Sequence, residues 1–111
     1  MEDQDARLLR IFIGESDTHH GQPLYQAIVE TLRKQGLAGA TVLRGIEGFG
    51  KSSRLHTAHI LRLSEDLPII IECVDSNDKI EGILPALDEM IGDGLVTLER
   101  VDVRVYRANR E

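Results

Sequence analysis

Apolar residues recur along the chain in four short runs and two longer amphipathic stretches, and their spacing sets the expected elements. From Arg7 to Ile13 the side chains alternate. Leu9, Ile11 and Ile13 point one way and Leu8, Arg10 and Phe12 the other, so both faces of a first strand are largely apolar. Glu15 to Gln22 reads as a loop, and Pro23 suits the first turn of a helix. Leu24 to Gln35 places Leu24, Ile28 and Leu32 one above the other, with Ala27 and Thr31 beside them, which predicts a helix. Gly36, after Lys34, fits the position just past its end. Ala40 to Arg44 is a second strand. His59 to Ser64 reads either as the return arm of a hairpin or as a helical turn. Ile69 to Val74 is nearly continuous in apolar residues and predicts a third strand buried on both faces, with Pro68 at its start. Asp75 or Ser76 caps a second helix, Asn77 to Ile91, whose stripe is Ile80, Ile83, Leu84, Leu87 and Ile91. Pro85 falls on its solvent side. After the tight turn Gly92-Asp93-Gly94, Leu95 to Tyr106 supplies a last strand or strand pair, with Val101, Val103 and Val105 on one face.

The order is strand–helix–strand, a long connection, then strand–helix–strand. That predicts an α+β fold of the ferredoxin-like kind: a four-stranded antiparallel sheet with two helices on one face, built as a single domain over 1–111. Residues 1–6 are polar and acidic and are expected to fray. Two helices cover one face only, yet the first and third strands are apolar on both. The open face therefore calls for a second copy, and an oligomer packed through the sheet is expected.

Composition narrows the function. The net charge of −6 argues against a general nucleic-acid binder, which would carry a basic stripe. Aromatic residues make up 4% and Trp is absent, so the core must be aliphatic. No signal-peptide pattern and no long apolar run is visible, which points to a cytoplasmic protein. The one cysteine, Cys73, lies in an apolar strand and reads as a small buried core residue.

The candidate chemistry gathers in the stretch from Gly45 to Leu67. Glycines at 45, 48 and 50 stand beside Lys51, Arg54 and, further on, Arg62, a set that reads either as a phosphate site or as a solvated loop. Residues 46–64 have little to bury, which predicts a mobile central loop. Gly45 to Ser52 also matches the phosphate-cradling pattern GxxxxGKS, with Glu72 or Asp75 as a later carboxylate. That would make the chain a nucleotide hydrolase if a helix began at Lys51. Phe49, between glycines, either anchors the loop base or stacks on a ligand base. His56 and His59, three apart, are candidate metal ligands on one helical turn. His19 and His20 with Asp17 and Glu15 invite the same idea, against which stands a plain surface loop. No nucleophile–base pair is recognisable, so a non-enzymatic role is expected.

Several segments in this order and spacing carry a resemblance: Gly36 to Val42, Gly48-Phe49-Gly50, Leu67-Pro68 leading into Ile69 to Asp75, Met90-Ile91, and Gly92-Asp93-Gly94 followed by Leu95 to Thr97 and the valine strand. The chain resembles the PII superfamily of small trimeric signalling proteins. Within it, the chain is most similar to the PII-like family of unknown function. The resemblance implies a homotrimer that binds an adenine nucleotide in clefts between subunits and signals through its central loop, with no cofactor required. It implies ligand contacts from Gly48, Phe49, Gly50, Lys51, Arg54, Gly92, Asp93, Gly94, Arg104 and Arg107. Leu95 stands where the classical proteins have a lysine, the modified tyrosine of their mobile loop is absent, and the basic pair Arg104 and Arg107 is differently spaced. These differences imply another mode of nucleotide sensing than tight recognition of ATP with 2-oxoglutarate. Relatives in this branch often lie near genes for fluoride exporters, which makes a membrane transporter a candidate protein target. Copper-tolerance relatives of the superfamily imply the alternative of a metal-binding stress protein.

Overall fold

The computed structural model describes residues 5–50, 56–57 and 66–108. It contains β1 (Ala6–Gly14), β2 (Thr18–His19), β3 (Gln22–Pro23), α1 (Leu24–Lys34), β4 (Thr41–Arg44), β5 (Glu47–Gly48), β6 (His56–Thr57), β7 (Pro68–Ser76), α2 (Asn77–Met90) and β8 (Leu95–Val101). The main sheet has the order β4-β7-β1-β8 and every pairing is antiparallel. With α1 and α2 against it, this is the ferredoxin-like α+β arrangement that the apolar pattern predicts.

The period of two in β1 and β7 decides which face is covered. Their register pairs Leu9 with Cys73, Ile11 with Ile71 and Ile13 with Ile69, and all six side chains are buried. They meet Leu24, Ile28 and Leu32 from α1 and Ile80, Ile83 and Leu87 from α2. This aliphatic layer is the core, and Cys73 is part of it. Burial pushes the Cys73 thiol up to about 11, helped by the charge of Asp75 and opposed by a backbone hydrogen bond from Gly39.

The helix ends follow local chemistry. Gly36 takes φ +85°, Leu37 N–H donates to Leu32 O at 3.1 Å and Gly36 N–H to Arg33 O at 3.1 Å. These two bonds close the end of α1 as its glycine predicts. Lys79 Nζ adds a hydrogen bond to Gly36 O at 2.9 Å. Ser76, rather than Asp75, caps α2, its hydroxyl accepting from Lys79 N–H at 3.4 Å. Asp75 is 4% exposed and binds backbone instead: Oδ2 accepts from Ala38 N–H at 2.8 Å and Oδ1 from Ser76 N–H at 2.7 Å. Pro85 lies on the exposed side of α2.

Two expectations need correction. The last strand stops at Val101 rather than Tyr106, because Val101 already faces Ala6, the first residue of β1. A strand needs a neighbour, and residues 102–107 run past the end of theirs. The segment Glu15 to Gln22 is more than a loop: β2 and β3 form a short hairpin whose turn residues His20 and Gly21 have φ +51° and +85°. Positive φ at both central residues suits a two-residue hairpin turn.

The second face of the sheet carries Leu8, Arg10 and Phe12 from β1, Ile70, Glu72 and Val74 from β7, Leu43 from β4 and Leu95 from β8. Leu43 and Leu95 are 44% and 55% exposed, and among the described residues no helix lies over this face. Near its centre Arg10 Nε donates to Glu72 Oε2 at 2.9 Å and Arg10 Nη1 to Glu99 Oε1 at 3.3 Å.

Candidate functional site

The glycine-rich segment after β4 enters a hairpin. Gly48 pairs with His56 and Glu47 with Thr57, antiparallel. This ends the hydrolase reading of Gly45 to Ser52. A phosphate-cradling loop of that class passes from a parallel strand into a helix, whereas here an antiparallel edge strand leads into a hairpin base whose return arm is already strand at His56. Gly45 and Gly48 have a packing reason instead. A Cβ at Gly45 would lie 2.8 Å from Cγ of Pro68, and one at Gly48 3.1 Å from the same atom. Gly45 N–H also donates to Pro68 O at 2.7 Å, which holds the segment against the start of β7.

The Gly92–Gly94 turn sits at the same end of the sheet. A Cβ at Gly94 would lie 2.7 Å from Phe12 O, whereas Gly92 has nothing within 4 Å. The two glycines thus differ in role: Gly94 lets the turn lie on β1, and Gly92 leaves open space. Asp93 is exposed beside it.

These two turns lie on opposite edges. Gly45 to Gly50 follow β4 at one edge and Gly92 to Gly94 precede β8 at the other, with β7 and β1 between. Three interstrand spacings separate the edges, about 14 Å. Arg104 and Arg107 follow β8 and lie beyond its far end, which is itself about 23 Å from the Gly92–Gly94 turn along the strand. One chain therefore brings Gly48, Phe49 and Gly50 to one corner, Gly92, Asp93 and Gly94 to a second, and Arg104 and Arg107 to the opposite end. Among the described residues Arg104 pairs with Asp102 at 3.9 Å, their side chains 83% and 81% exposed. Phe49 is 77% exposed, so it does not anchor the loop base by packing within the chain. Lys51, Arg54, His59 and Arg62 lie outside the described residues, as does the side chain of His56.

Sequence reasoning missed a cleft of about 760 Å³ between residues 101–106 and the Ala38–Thr41 segment, floored by Leu8 and Val74. Tyr106 hydroxyl reaches across it to Ala38 O at 3.5 Å. The valine alternation was its only sequence signal. At the hairpin of β2 and β3, His19 and His20 stack with ring centres 4.1 Å apart. Asp17 accepts from Gly14 N–H at 2.9 Å and Glu15 binds Arg44, so these four residues do not converge on a metal. Among the described residues no group of three or more His, Cys, Asp or Glu side chains is placed to hold a metal ion. Among the same residues no helix is long and apolar enough to cross a membrane.

The model of the DUF190 family, "Uncharacterized ACR", matches residues 6–103. The chain belongs to the DUF190 family. A UPF0166 protein of Methanocaldococcus jannaschii is 40% identical over 103 residues, covering 92% of this chain and 93% of the relative. A UPF0166 protein of Aquifex aeolicus is 38% identical over 99 residues, covering 87% and 91%. Among solved structures, a PII-like signalling protein from Thermus thermophilus superposes with a TM-score of 0.63 at 21% identity, covering 90% of this chain and 93% of that one. CPII, a nitrogen regulatory PII-like protein from Thiomonas intermedia solved with ADP, AMP and bicarbonate, superposes with a TM-score of 0.61 at 19% identity, covering 88% and 87%. The DUF190 chain thus has the PII-like fold.

Proposed function

We propose that this DUF190 protein is a non-enzymatic, cytoplasmic regulator that binds an adenine nucleotide in clefts between copies of itself and signals through its central loop, residues 46–64. The observation that carries the reading is the division of the candidate residues. Two glycine turns stand at opposite sheet edges and a basic pair at the far end, so no one chain completes a site. Packing the open apolar face against further copies, as a homotrimer, lets an edge of one copy meet the other edge of the next. CPII, of like fold, was solved with ADP and AMP, which makes an adenine nucleotide the ligand of choice.

In such a cleft the Gly92–Gly94 turn offers backbone N–H groups, with no Cβ at Gly92 to hinder approach, and Lys51, Arg54, Arg104 and Arg107 supply the charge a diphosphate needs. Phe49, exposed in the single chain, is available to stack on the base. The ordered loop then offers a protein target, such as a membrane transporter, a surface that the free protein lacks. Calorimetric titration with ATP, ADP and AMP tests the reading, and the absence of heat across all three at millimolar nucleotide would remove it.

A further inference from the structure

Glu15 sits where three strands end. Its N–H donates to Leu67 O at 2.8 Å, on the chain that leads out of the central stretch. Its Oε2 accepts from Arg44 Nη2 at 2.7 Å, at the end of β4, where the chain leads in. Because β7 lies between β1 and β4, this ion pair reaches over the start of β7. Beneath it Gly45 N–H donates to Pro68 O, and Gly45 and Gly48 lie against the Pro68 ring. One residue therefore fastens the entry and the exit of the central stretch to the end of β1.

The ion pair is partly shielded, with the Glu15 side chain 25% and the Arg44 side chain 49% exposed. The second oxygen, Oε1, is closed to solvent and accepts no hydrogen bond among the described residues. A shielded acceptor without a donor is uncommon in a folded protein and asks for a reason.

We infer that Glu15 is the positioning residue of the central stretch, its carboxylate fixing the direction in which the entry stem leaves the sheet while its backbone N–H holds the exit stem. The same strand end meets the Gly92–Gly94 turn, since Gly94 lies against the carbonyl of Phe12, three residues before Glu15. A ligand held by that turn bears on β1 beside the residue that holds the loop. This last link rests on the nucleotide reading above; the positioning role does not.

Hydrogen exchange on the free protein tests it, comparing wild type, Glu15→Gln, Glu15→Arg and the charge-swapped pair Glu15→Arg with Arg44→Glu. Glu15→Gln raises exchange at the Gly45 and Gly48 amides roughly fivefold, and Glu15→Arg raises it further. The swapped pair returns both amides to within about twofold of wild type, while Ile11 and Ile71 amides stay unchanged in all four proteins. Unchanged Gly45 and Gly48 amides in Glu15→Gln overturn the inference. So does a rise shared equally by Ile11 and Ile71, which makes the role one of general stability, and so does a swapped pair without rescue. ADP titrated into the same samples is judged separately. Failure of wild type to bind removes the nucleotide reading and leaves the exchange result standing.

Discussion

Replacing Gly94 by alanine tests whether the second glycine of the Gly92–Gly94 turn serves packing or ligand. An added Cβ lands 2.7 Å from Phe12 O and 3.1 Å from Cγ2 of both Ile13 and Ile91. The first neighbour is backbone of β1, which is paired on both sides and cannot yield cheaply. Overpacking of this kind costs about 1–3 kcal/mol. The smaller entropy of the unfolded alanine chain returns about 0.5 kcal/mol. A net loss near 1.5 kcal/mol remains. At ~2.1 cal/mol/K of unfolding entropy per residue, Tm falls by roughly 6 °C. Gly92 has nothing within 4 Å and no left-handed φ, so Gly92→Ala leaves Tm within about 2 °C of wild type. Scanning calorimetry at one matched protein concentration reads both, since association shifts Tm with concentration. Equal Tm values for the two variants, or a larger loss at Gly92, would refute the packing argument.

Asp75→Ala removes a buried carboxylate that accepts from two part-buried backbone donors, Ala38 N–H and Ser76 N–H, and costs about 1–3 kcal/mol in urea unfolding. The Cys73 thiol resists alkylation at neutral pH in the folded protein and reacts once denatured. Its pKa is raised from 9.0 to about 11, so the stability it gives is full below pH 9 and is lost as pH rises toward 11, which unfolding midpoints across that window report. Phe12→Asp places a charge on the open sheet face and converts the proposed assembly to monomers in light scattering; unchanged mass would place the interface elsewhere.

The fold was legible because it rests on short-range signals. The alternation in β1, the glycine after α1 and the stripes of both helices each act within a few residues. What the sequence hid depends on distant partners. The end of β8 at Val101 is set by where β1 begins. The reason for Gly45 and Gly48 is the ring of Pro68, whereas the letters alone also spell a phosphate loop. The hairpin at His20 and Gly21 was missed because histidine seldom takes φ +51°. Glu15 and Arg44 are 29 positions apart and meet only because the sheet order sets β1 and β4 on either side of β7. Of the candidate site, the turns and the basic pair were visible, but that they lie at separate corners of one chain follows from topology alone.

The central claim is that adenine nucleotide binds in a site that needs more than one copy. Titration calorimetry of ADP into wild type and into the monomeric Phe12→Asp protein tests it most directly. The account predicts a saturable heat with wild type, one nucleotide per chain at most, and none with the monomer. Equal binding by the monomer would contradict the shared site, and no heat with either protein at millimolar ADP would contradict the nucleotide.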